Sequence, residues 1–309
     1  MNGPLAIIDC GTNTIRLLVA EDDGGGRLSE LDRQTKIVRL GQGVDATGEF
    51  HPDALARTFA QAEHYARVIR DHDIPADRIR FIATSASRDV SNRDEFFDGI
   101  RERLGVTPDV ITGDEEAALS FAGAISGAQD PRTPVLVTDI GGGSTELIIG
   151  NAGGTTDHAV SLDIGSVRVT ERFLPGDPPS ADDLDRAAAY VDQLLAAEKI
   201  DWPEVRTWIG VAGTLTTLAA VDLDLTEYDR SKVHGHRIKI TDLGSIFDRL
   251  SSMSATQIEQ LATVEPQRAD VITAGALIAN RIAARLTVES LTVSEADILD
   301  GAALELINS

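Results

Sequence analysis

The chain of 309 residues contains one cysteine, Cys10, and few aromatic residues, which make up 4% of it. A single thiol excludes an intramolecular disulfide framework and is typical of a reducing compartment, so a cytoplasmic location is predicted. The first residues contain neither a basic segment nor a long apolar one, so they do not resemble a secretory signal. No uninterrupted apolar run approaches the roughly 18 residues that a membrane span requires, and no membrane partner is expected.

Positive charge is scarce as well. The chain carries 28 lysines and arginines against 50 aspartates and glutamates, a net charge of −22, and only four of its basic residues are lysines. A field of that sign disfavours non-specific binding to nucleic acid or anionic lipid, so no nucleic-acid partner is expected. An anionic substrate would need local cations or a metal ion to overcome this background.

What the sequence does contain is an internal repeat. Residues 9–19, DCGTNTIRLLV, align without a gap with residues 139–149, DIGGGSTELII. An apolar run precedes each copy, so each copy predicts a strand, a tight Asp-x-Gly turn and a second strand. A spacing of about 130 residues predicts two similarly built halves rather than a short-period array. In this alignment Arg16 and Glu146 occupy the same place.

The two halves are expected to be separate domains. The linker is predicted at residues 129–134, QDPRTP, which include two prolines and little to bury. The predicted domains are residues 1–128 and residues 129–309, with a helix at about 295–309 expected to pack back onto the first. A homodimer is the candidate assembly.

Helical and strand-like segments alternate within both halves. Helices are predicted over residues 51–72, 92–105 and 180–198, a further helix is predicted from about Asp114, and strands are predicted over residues 79–86 and 207–213. This alternation predicts α/β layers.

The glycine-rich turn of the second repeat predicts a phosphate-binding site. No lysine follows a glycine cluster, which excludes a P-loop, and the glycines lead into a strand, which excludes a Rossmann fingerprint. The glycines at 141–143 allow inward-pointing backbone N–H groups to bind phosphate oxygens, and Ser144 and Thr145 add hydroxyl donors. A plain hairpin is the structural alternative, but two copies with the same pattern favour the functional interpretation.

Charged residues near these turns are further candidates. Asp9 and Asp139 end apolar strands, where a metal-binding or water-positioning role competes with a simple Asx turn. Arg88 and Arg93 follow a buried strand, where they either bind phosphate or pair with neighbouring aspartates. Glu116 begins a helix together with Asp114 and Glu115, a place that acidic residues favour in any case.

Six motifs in order resemble the exopolyphosphatase and guanosine pentaphosphate phosphohydrolase (Ppx/GppA) family: DCGTNTIRLLV, ATSASRDVSN, TGDEEA, DIGGGSTEL, VAGTLTTLAA and RADVITAGALI. The resemblance covers residues 5 to about 301. It implies an α/β fold of two ribonuclease-H-like (actin-like ATPase) domains with a cleft between them, in the short form that lacks an additional helical region. Many members have two glycines where this chain has Ala212 and Gly213.

The resemblance also implies a chemistry and a set of residues. Glu116 is expected to be the base that activates water, and Asp139 and Glu146 to act in catalysis and, with Asp9, to bind Mg²⁺ (or Mn²⁺). Arg268 matches a motif arginine with an expected structural role. The residues expected to bind phosphate or substrate are Gly11, Thr12, Asn13, Thr14, Arg16, Ser85, Arg88, Arg93, Gly141, Gly142, Gly143, Ser144, Thr145, Gly213 and Thr214.

The expected reaction is hydrolysis of the terminal phosphoanhydride of inorganic polyphosphate, with release of orthophosphate. Hydrolysis of pppGpp to ppGpp and phosphate is the first alternative, because the motifs do not separate the two substrates. A small-molecule kinase of the same superfamily is the second, with VAGTLTTL as an adenosine-binding loop. A sensor without enzymatic activity is the third, and it would not need Glu116.

Overall fold

The computed structural model describes residues 3–12, 14–24, 28–84 and 90–308, with the main chain alone at residues 45 and 46. The chain divides into two compact units, Met1–Ser126 with Ile298–Ser309, and Gly127–Asp297. The division predicted from the sequence, after residue 128, lies two residues later. Among the described residues, no helix combines the length and the apolar character needed to cross a membrane.

The first unit is built on a five-stranded sheet with the order β3-β2-β1-β4-β5. Its strands are β1 (Leu5–Cys10), β2 (Thr14–Asp22), β3 (Leu28–Ile37), β4 (Ile79–Ala83) and β5 (Asp109–Val110). Strands β1, β2 and β3 are antiparallel neighbours, whereas β4 and β5 run parallel to β1. Its helices are α1 (Val44–Thr47), α2 (Pro52–Asp71), α3 (Arg93–Leu104), α4 (Gly113–Ser126) and α12 (Ile298–Asn308), with a 3₁₀ turn at Ala76–Arg78.

Helices cover both faces of this sheet, which explains the unbroken apolar run of β1. Ala6 and Ile8 belong to one hydrophobic cluster with residues of α2 and α3. Leu5 and Ile7 point the other way, into a second cluster with residues of α4 and α12. Alternate residues of a strand face opposite sides of the sheet, so a strand covered on both faces is apolar throughout. All six residues of β1 are buried.

The second unit contains a six-stranded sheet with the order β10-β11-β9-β6-β7-β8. Its strands are β6 (Val135–Ile140), β7 (Thr145–Gly150), β8 (Thr156–Leu162), β9 (Thr207–Val211), β10 (Arg237–Lys239) and β11 (Ser290–Val293). Its helices are α5 (Ser166–Phe173), α6 (Ala181–Ala197), α7 (Ala212–Asp222), α8 (Arg230–Val233), α9 (Ile240–Ser251), α10 (Ala255–Ile258) and α11 (Ile272–Ala283), with 3₁₀ turns at Trp202–Glu204 and Pro266–Arg268.

The two sheets share one topology. In the second, β6, β7 and β8 form the antiparallel meander, and β9 and β11 run parallel to β6. The order β8-β7-β6-β9-β11 therefore repeats the order β3-β2-β1-β4-β5, with β10 added at the edge. The predicted α/β, ribonuclease-H-like fold is confirmed, and so are the two hairpins that the repeat predicts.

Two predicted strands end earlier than expected. The strand expected over residues 79–86 ends at Ala83, and Thr84 lies outside it. The strand expected over residues 207–213 ends at Val211, and α7 begins at Ala212. Ala212 has a backbone φ of 65°, in the left-handed region that favours glycine. The chain therefore turns sharply between β9 and α7, at a place where many members of the resembled family have glycine.

Candidate active site

The two repeat hairpins close in the same way. In the first unit, the Gly11 N–H donates to the Thr14 carbonyl at 2.9 Å, and in the second the Gly141 N–H donates to the Ser144 carbonyl at 3.0 Å. Each turn follows the carboxyl end of the central strand of its sheet, which is where α/β proteins bind ligands. Each unit thus carries its own glycine turn beside a strand-end aspartate.

In the first unit the strand-end aspartate forms an ion pair. Asp9 is paired in register with Arg16 across β1 and β2. The Arg16 side chain donates to Asp9 Oδ2 from Nη2 at 2.6 Å and from Nε at 3.0 Å, and Asp9 is only 5% exposed. The guanidinium thus balances the buried carboxylate that was predicted to bind a metal.

In the second unit the same register position holds two carboxylates. Asp139 of β6 is paired with Glu146 of β7. Glu146 Oε1 accepts hydrogen bonds from the hydroxyls of Ser144 and Ser161, each at 2.7 Å. Like charges directly opposite each other destabilise a sheet, so this pair favours a bound cation.

The pair fits a magnesium ion that the substrate helps to coordinate. Mg²⁺ prefers oxygen ligands and usually takes one or two protein carboxylates, with water and phosphate oxygens completing its shell. Within the described ranges, no group of three or more histidine, cysteine, aspartate or glutamate residues is placed to hold a metal. Asp139 and Glu146 match the one or two carboxylates that a magnesium site usually takes from a protein.

The glycine turn of the second unit rests on the first turn of α5. The Gly141 carbonyl accepts from the Ser166 N–H at 2.9 Å, and the Gly142 carbonyl accepts from the N–H groups of Val167 and Arg168 at 2.9 and 3.1 Å. Gly165 permits this approach, because a Cβ there would lie 2.2 Å from the Gly142 oxygen. The carbonyls of the turn are therefore directed toward the helix.

Ser144 and Thr145 have different roles in this turn. The Ser144 hydroxyl donates to Glu146, beside the turn. The Thr145 side chain is fully buried and its hydroxyl donates to the Ile164 carbonyl. Neighbouring residues of a strand face opposite sides of the sheet, so Thr145 and Glu146 point apart.

Glu115, in the first turn of α4, caps the N-terminus of that helix. Glu115 Oε2 accepts from the N–H and the hydroxyl of Thr112 at 2.8 and 2.9 Å, and the Glu115 N–H donates back to that hydroxyl. This is a reciprocal cap of the helix N-terminus. The bonds from Thr112 lower the pKa of Glu115. Glu115 thus has a structural function, and Glu116 is the glutamate of this motif that remains a candidate base.

The first turn of α7 is packed against Arg268. A Cβ on Gly213 would lie 2.1 Å from Arg268 Nη1, so glycine allows the guanidinium to lie directly against the main chain here. Thr214 is buried and contacts α11, where a Cβ on Gly275 would meet its Cγ2 at 2.4 Å. The arginine of the RADVI motif therefore borders the start of α7, where Gly213 and Thr214 were predicted to bind substrate.

The remaining predicted residues are placed as follows. The Gly41 N–H donates to the Thr12 carbonyl at 2.8 Å, so Thr12 belongs to the turn of the first unit. Arg93 is exposed at the start of α3, with its guanidinium 5.4 Å from the Phe97 ring centre. Asn13, Ser85 and Arg88 lie outside the described residues.

Cys10 is buried between the strand-end aspartate and the glycine turn. Burial and the neighbouring carboxylate of Asp9 raise the pKa of its thiol. A nucleophilic cysteine needs a lowered pKa and access to solvent, so the environment of Cys10 is that of a structural residue.

Two side chains at the second-unit turn were not predicted. Ser161, on β8, pairs in register with Glu146 and donates to it. Arg168, on α5, donates from Nε to the Gly143 carbonyl at 2.8 Å. Both belong to the segment SLDIGSVR, residues 161–168, which lies outside the aligned repeat. The only indication of the position of Ser161 was that β8 had to pair with β7.

Fold and site together define a two-sheet α/β protein with a glycine turn and a strand-end aspartate in each unit. The sequence model of the Ppx/GppA phosphatase family matches residues 18–309. Exopolyphosphatase 2 of Mycobacterium tuberculosis is 45% identical over an alignment that covers 98% of each chain. The chain therefore belongs to the Ppx/GppA phosphatase family, and the predicted enzyme class, a phosphoanhydride hydrolase, is confirmed at that level.

Solved structures agree with this assignment. The Aquifex aeolicus Ppx/GppA family member is 29% identical with a TM-score of 0.90, over 100% of this chain and 98% of that one. An exopolyphosphatase-like protein is 42% identical with a TM-score of 0.81, over 98% and 97% of the two chains.

Proposed function

We propose that this protein is an exopolyphosphatase that hydrolyses the terminal phosphoanhydride of inorganic polyphosphate. The observation that carries the proposal is the register position shared by the two hairpins, which holds an ion pair in the first unit and the two carboxylates Asp139 and Glu146 in the second. A carboxylate pair beside a glycine turn suits a cation and a phosphate group together. The 45% identical relative, which bears the name exopolyphosphatase, supports polyphosphate as the substrate.

The glycine turns are the proposed phosphate-binding elements. In the second unit the carbonyls of Gly141 and Gly142 are engaged by α5. Since a trans peptide directs its N–H opposite to its C=O, the amides that follow these carbonyls point away from the helix. Successive amides with one orientation form an anion-binding concavity, without any need for a lysine.

Asp139 and Glu146 are the proposed ligands of Mg²⁺ or Mn²⁺. When bound, the ion would neutralise charge on the phosphate oxygens of the substrate. The hydroxyls of Ser144 and Ser161 fix one oxygen of Glu146 and so orient its carboxylate. Asp9 has Arg16 as its counter-ion, so we propose that this pair supports the first glycine turn electrostatically.

Glu116 is the proposed general base. Its carboxylate takes a proton from the attacking water, whose oxygen forms a bond to the terminal phosphorus. The bridging P–O bond breaks, and the shortened polyphosphate leaves with the electron pair. Phosphoryl transfer depends mainly on positioning and charge stabilisation, with one residue that orients the nucleophile.

A phosphate-release assay tests the proposed function. Wild-type protein is incubated with long-chain polyphosphate, pppGpp and ATP in parallel, each with and without Mg²⁺, and orthophosphate is measured. We expect release from polyphosphate that is faster than from the two nucleotides and that requires the cation. Faster release from pppGpp would assign the protein to the other activity in the family name, and release from none of the three would overturn the enzyme proposal.

A further inference from the structure

Arg168 contacts the glycine turn of the second unit through both its main chain and its side chain. Its N–H donates to the Gly142 carbonyl at 3.1 Å, and its Nε donates to the Gly143 carbonyl at 2.8 Å. Nη2 lies 3.3 Å from Asp163 Oδ1 in a solvent-exposed ion pair. One residue therefore holds two consecutive carbonyls of the turn.

The side-chain bond completes a pattern that α5 begins. The carbonyls of Gly141 and Gly142 receive main-chain N–H groups of the helix, but the next carbonyl, that of Gly143, receives the guanidinium instead. Carbonyl oxygens repel phosphate, and here three in succession are engaged on the helix side. Each trans peptide then directs the following N–H, at Gly142, Gly143 and Ser144, to the opposite side.

We propose that Arg168 is a positioning residue of the phosphate-binding turn, one that locks the Gly143–Ser144 peptide so that its N–H faces the bound phosphate. The proposal rests on the proposed function, because it takes phosphate as the ligand of this turn. A guanidinium–carbonyl bond is charge-assisted and stronger than a neutral one, and it polarises the N–H at the other end of the peptide. Amides fixed in advance stabilise developing charge without having to reorganise.

The geometry separates this role from simple attraction of an anion. Nε binds the carbonyl side of the Gly143–Ser144 peptide, the side opposite to its N–H. A residue that acts through the peptide lowers kcat when it is lost, because the amide counts most in the transition state. A residue that only attracts polyphosphate by its charge would raise KM instead, and a lysine would replace it.

Three variants test the proposal by the kinetics of polyphosphate hydrolysis. Arg168→Met removes both the charge and the hydrogen bond to the Gly143 carbonyl. Arg168→Lys keeps the charge but lacks the planar guanidinium whose Nε–H makes that bond. Arg172→Met is the matched control, because Arg172 lies one turn further along α5 and donates to the Tyr190 hydroxyl at 2.9 Å. We expect kcat to fall about tenfold in both Arg168 variants, the scale of one charge-assisted hydrogen bond, with KM little changed and Arg172→Met like wild type.

A second measurement does not depend on turnover. Hydrogen–deuterium exchange of the peptide containing residues 141–145 is expected to be faster in Arg168→Met and unchanged in Arg172→Met. Unchanged exchange in Arg168→Met, or full activity in Arg168→Lys, would overturn the positioning role. If wild-type protein released no phosphate from any substrate, the proposed function would fail, and the exchange experiment would still decide whether Arg168 fixes the turn.

Discussion

Glu146 lies opposite Asp139 across the β6–β7 hairpin, at the register where Arg16 lies opposite Asp9 in the first unit. The same hairpin occurs in both units, and it carries an acid–base pair at this position in the first unit and two carboxylates in the second. The repeat alignment predicts this contrast, and the strand register shows that the two side chains of each pair are direct neighbours.

Glu146→Gln is expected to stabilise the metal-free protein and to abolish its response to Mg²⁺. Removing one of two opposed charges relieves repulsion, worth about 0.2–1 kcal/mol for such a cross-strand pair, so the Tm without cation rises. Added Mg²⁺ should raise the Tm of wild type but not of the variant, since only a ligand that binds the native state stabilises it. Hydrolysis should fall by at least about 100-fold.

Glu171→Gln is the control for this experiment, because Glu171 is an exposed residue of α5 that loses the same charge. It should keep both the activity and the Mg²⁺ response. An Mg²⁺-dependent Tm shift that is equally large in Glu146→Gln would contradict the proposed cation site.

The neighbouring glutamates of α4 allow a matched test of the base. Glu116→Gln is expected to lower kcat by about 10²–10⁴, the usual contribution of general base catalysis, while the Tm stays close to wild type. Glu115→Gln should keep kcat; its amide oxygen can still accept from Thr112, but the loss of charge weakens these bonds and lowers the Tm slightly. Equal kcat in wild type and Glu116→Gln would remove Glu116 from the mechanism.

The cap also predicts a pH dependence of stability. The pKa of Glu115 is lowered in the folded protein by the bonds from Thr112. A carboxyl with a lowered folded pKa contributes stability above its unfolded pKa, near 4.3, and loses that contribution as the pH falls through the folded value. Wild type should therefore lose more stability on acidification below about pH 4.3 than Glu115→Gln does, as measured by thermal unfolding.

Ala212→Gly is expected to increase stability. Ala212 has a φ of 65°, and a left-handed conformation costs a residue with a side chain about 1–2 kcal/mol. Glycine adopts it without that cost, although it loses more chain entropy on folding. The net gain should be up to about 1 kcal/mol in urea unfolding.

Ala189→Gly provides the contrast, because Ala189 is an exposed residue in the middle of α6. There glycine should destabilise by about 0.5–1 kcal/mol. A loss of stability in Ala212→Gly similar to that in Ala189→Gly would show that the turn is not strained.

Gly301→Ala tests the contact between α12 and α4. A Cβ at residue 301 would lie 1.9 Å from the Leu119 carbonyl oxygen, so the helices would have to move apart. Overpacking of this kind costs about 1–3 kcal/mol. Gly244→Ala in α9, where a Cβ meets nothing within 4 Å, should instead stabilise the protein by about 0.5–1 kcal/mol. Unfolding in urea measures both changes, and a neutral Gly301→Ala would contradict the close packing.

The repeat made the hairpins and the facing carboxylates predictable because hairpin register follows from a tight turn of known position. The burial of Thr145 could have been predicted too, because neighbouring residues of a strand face opposite sides of the sheet and Glu146 was expected to face the metal ion. Ser161 and Arg168 were not, because their function depends on which segment packs against the turn. That is decided by tertiary contacts with α5 and β8 rather than by any local pattern.

Helix α12 gives the protein a particular order of assembly. Because it covers one face of the first sheet, the apolar residues of β1 and α4 on that face have no complete cover until the C-terminal residues leave the ribosome. The intervening unit contains about 170 residues, whose synthesis takes on the order of ten seconds. The first unit therefore cannot complete its hydrophobic core until the second unit has been synthesised, and the face that α12 covers stays open for that whole interval.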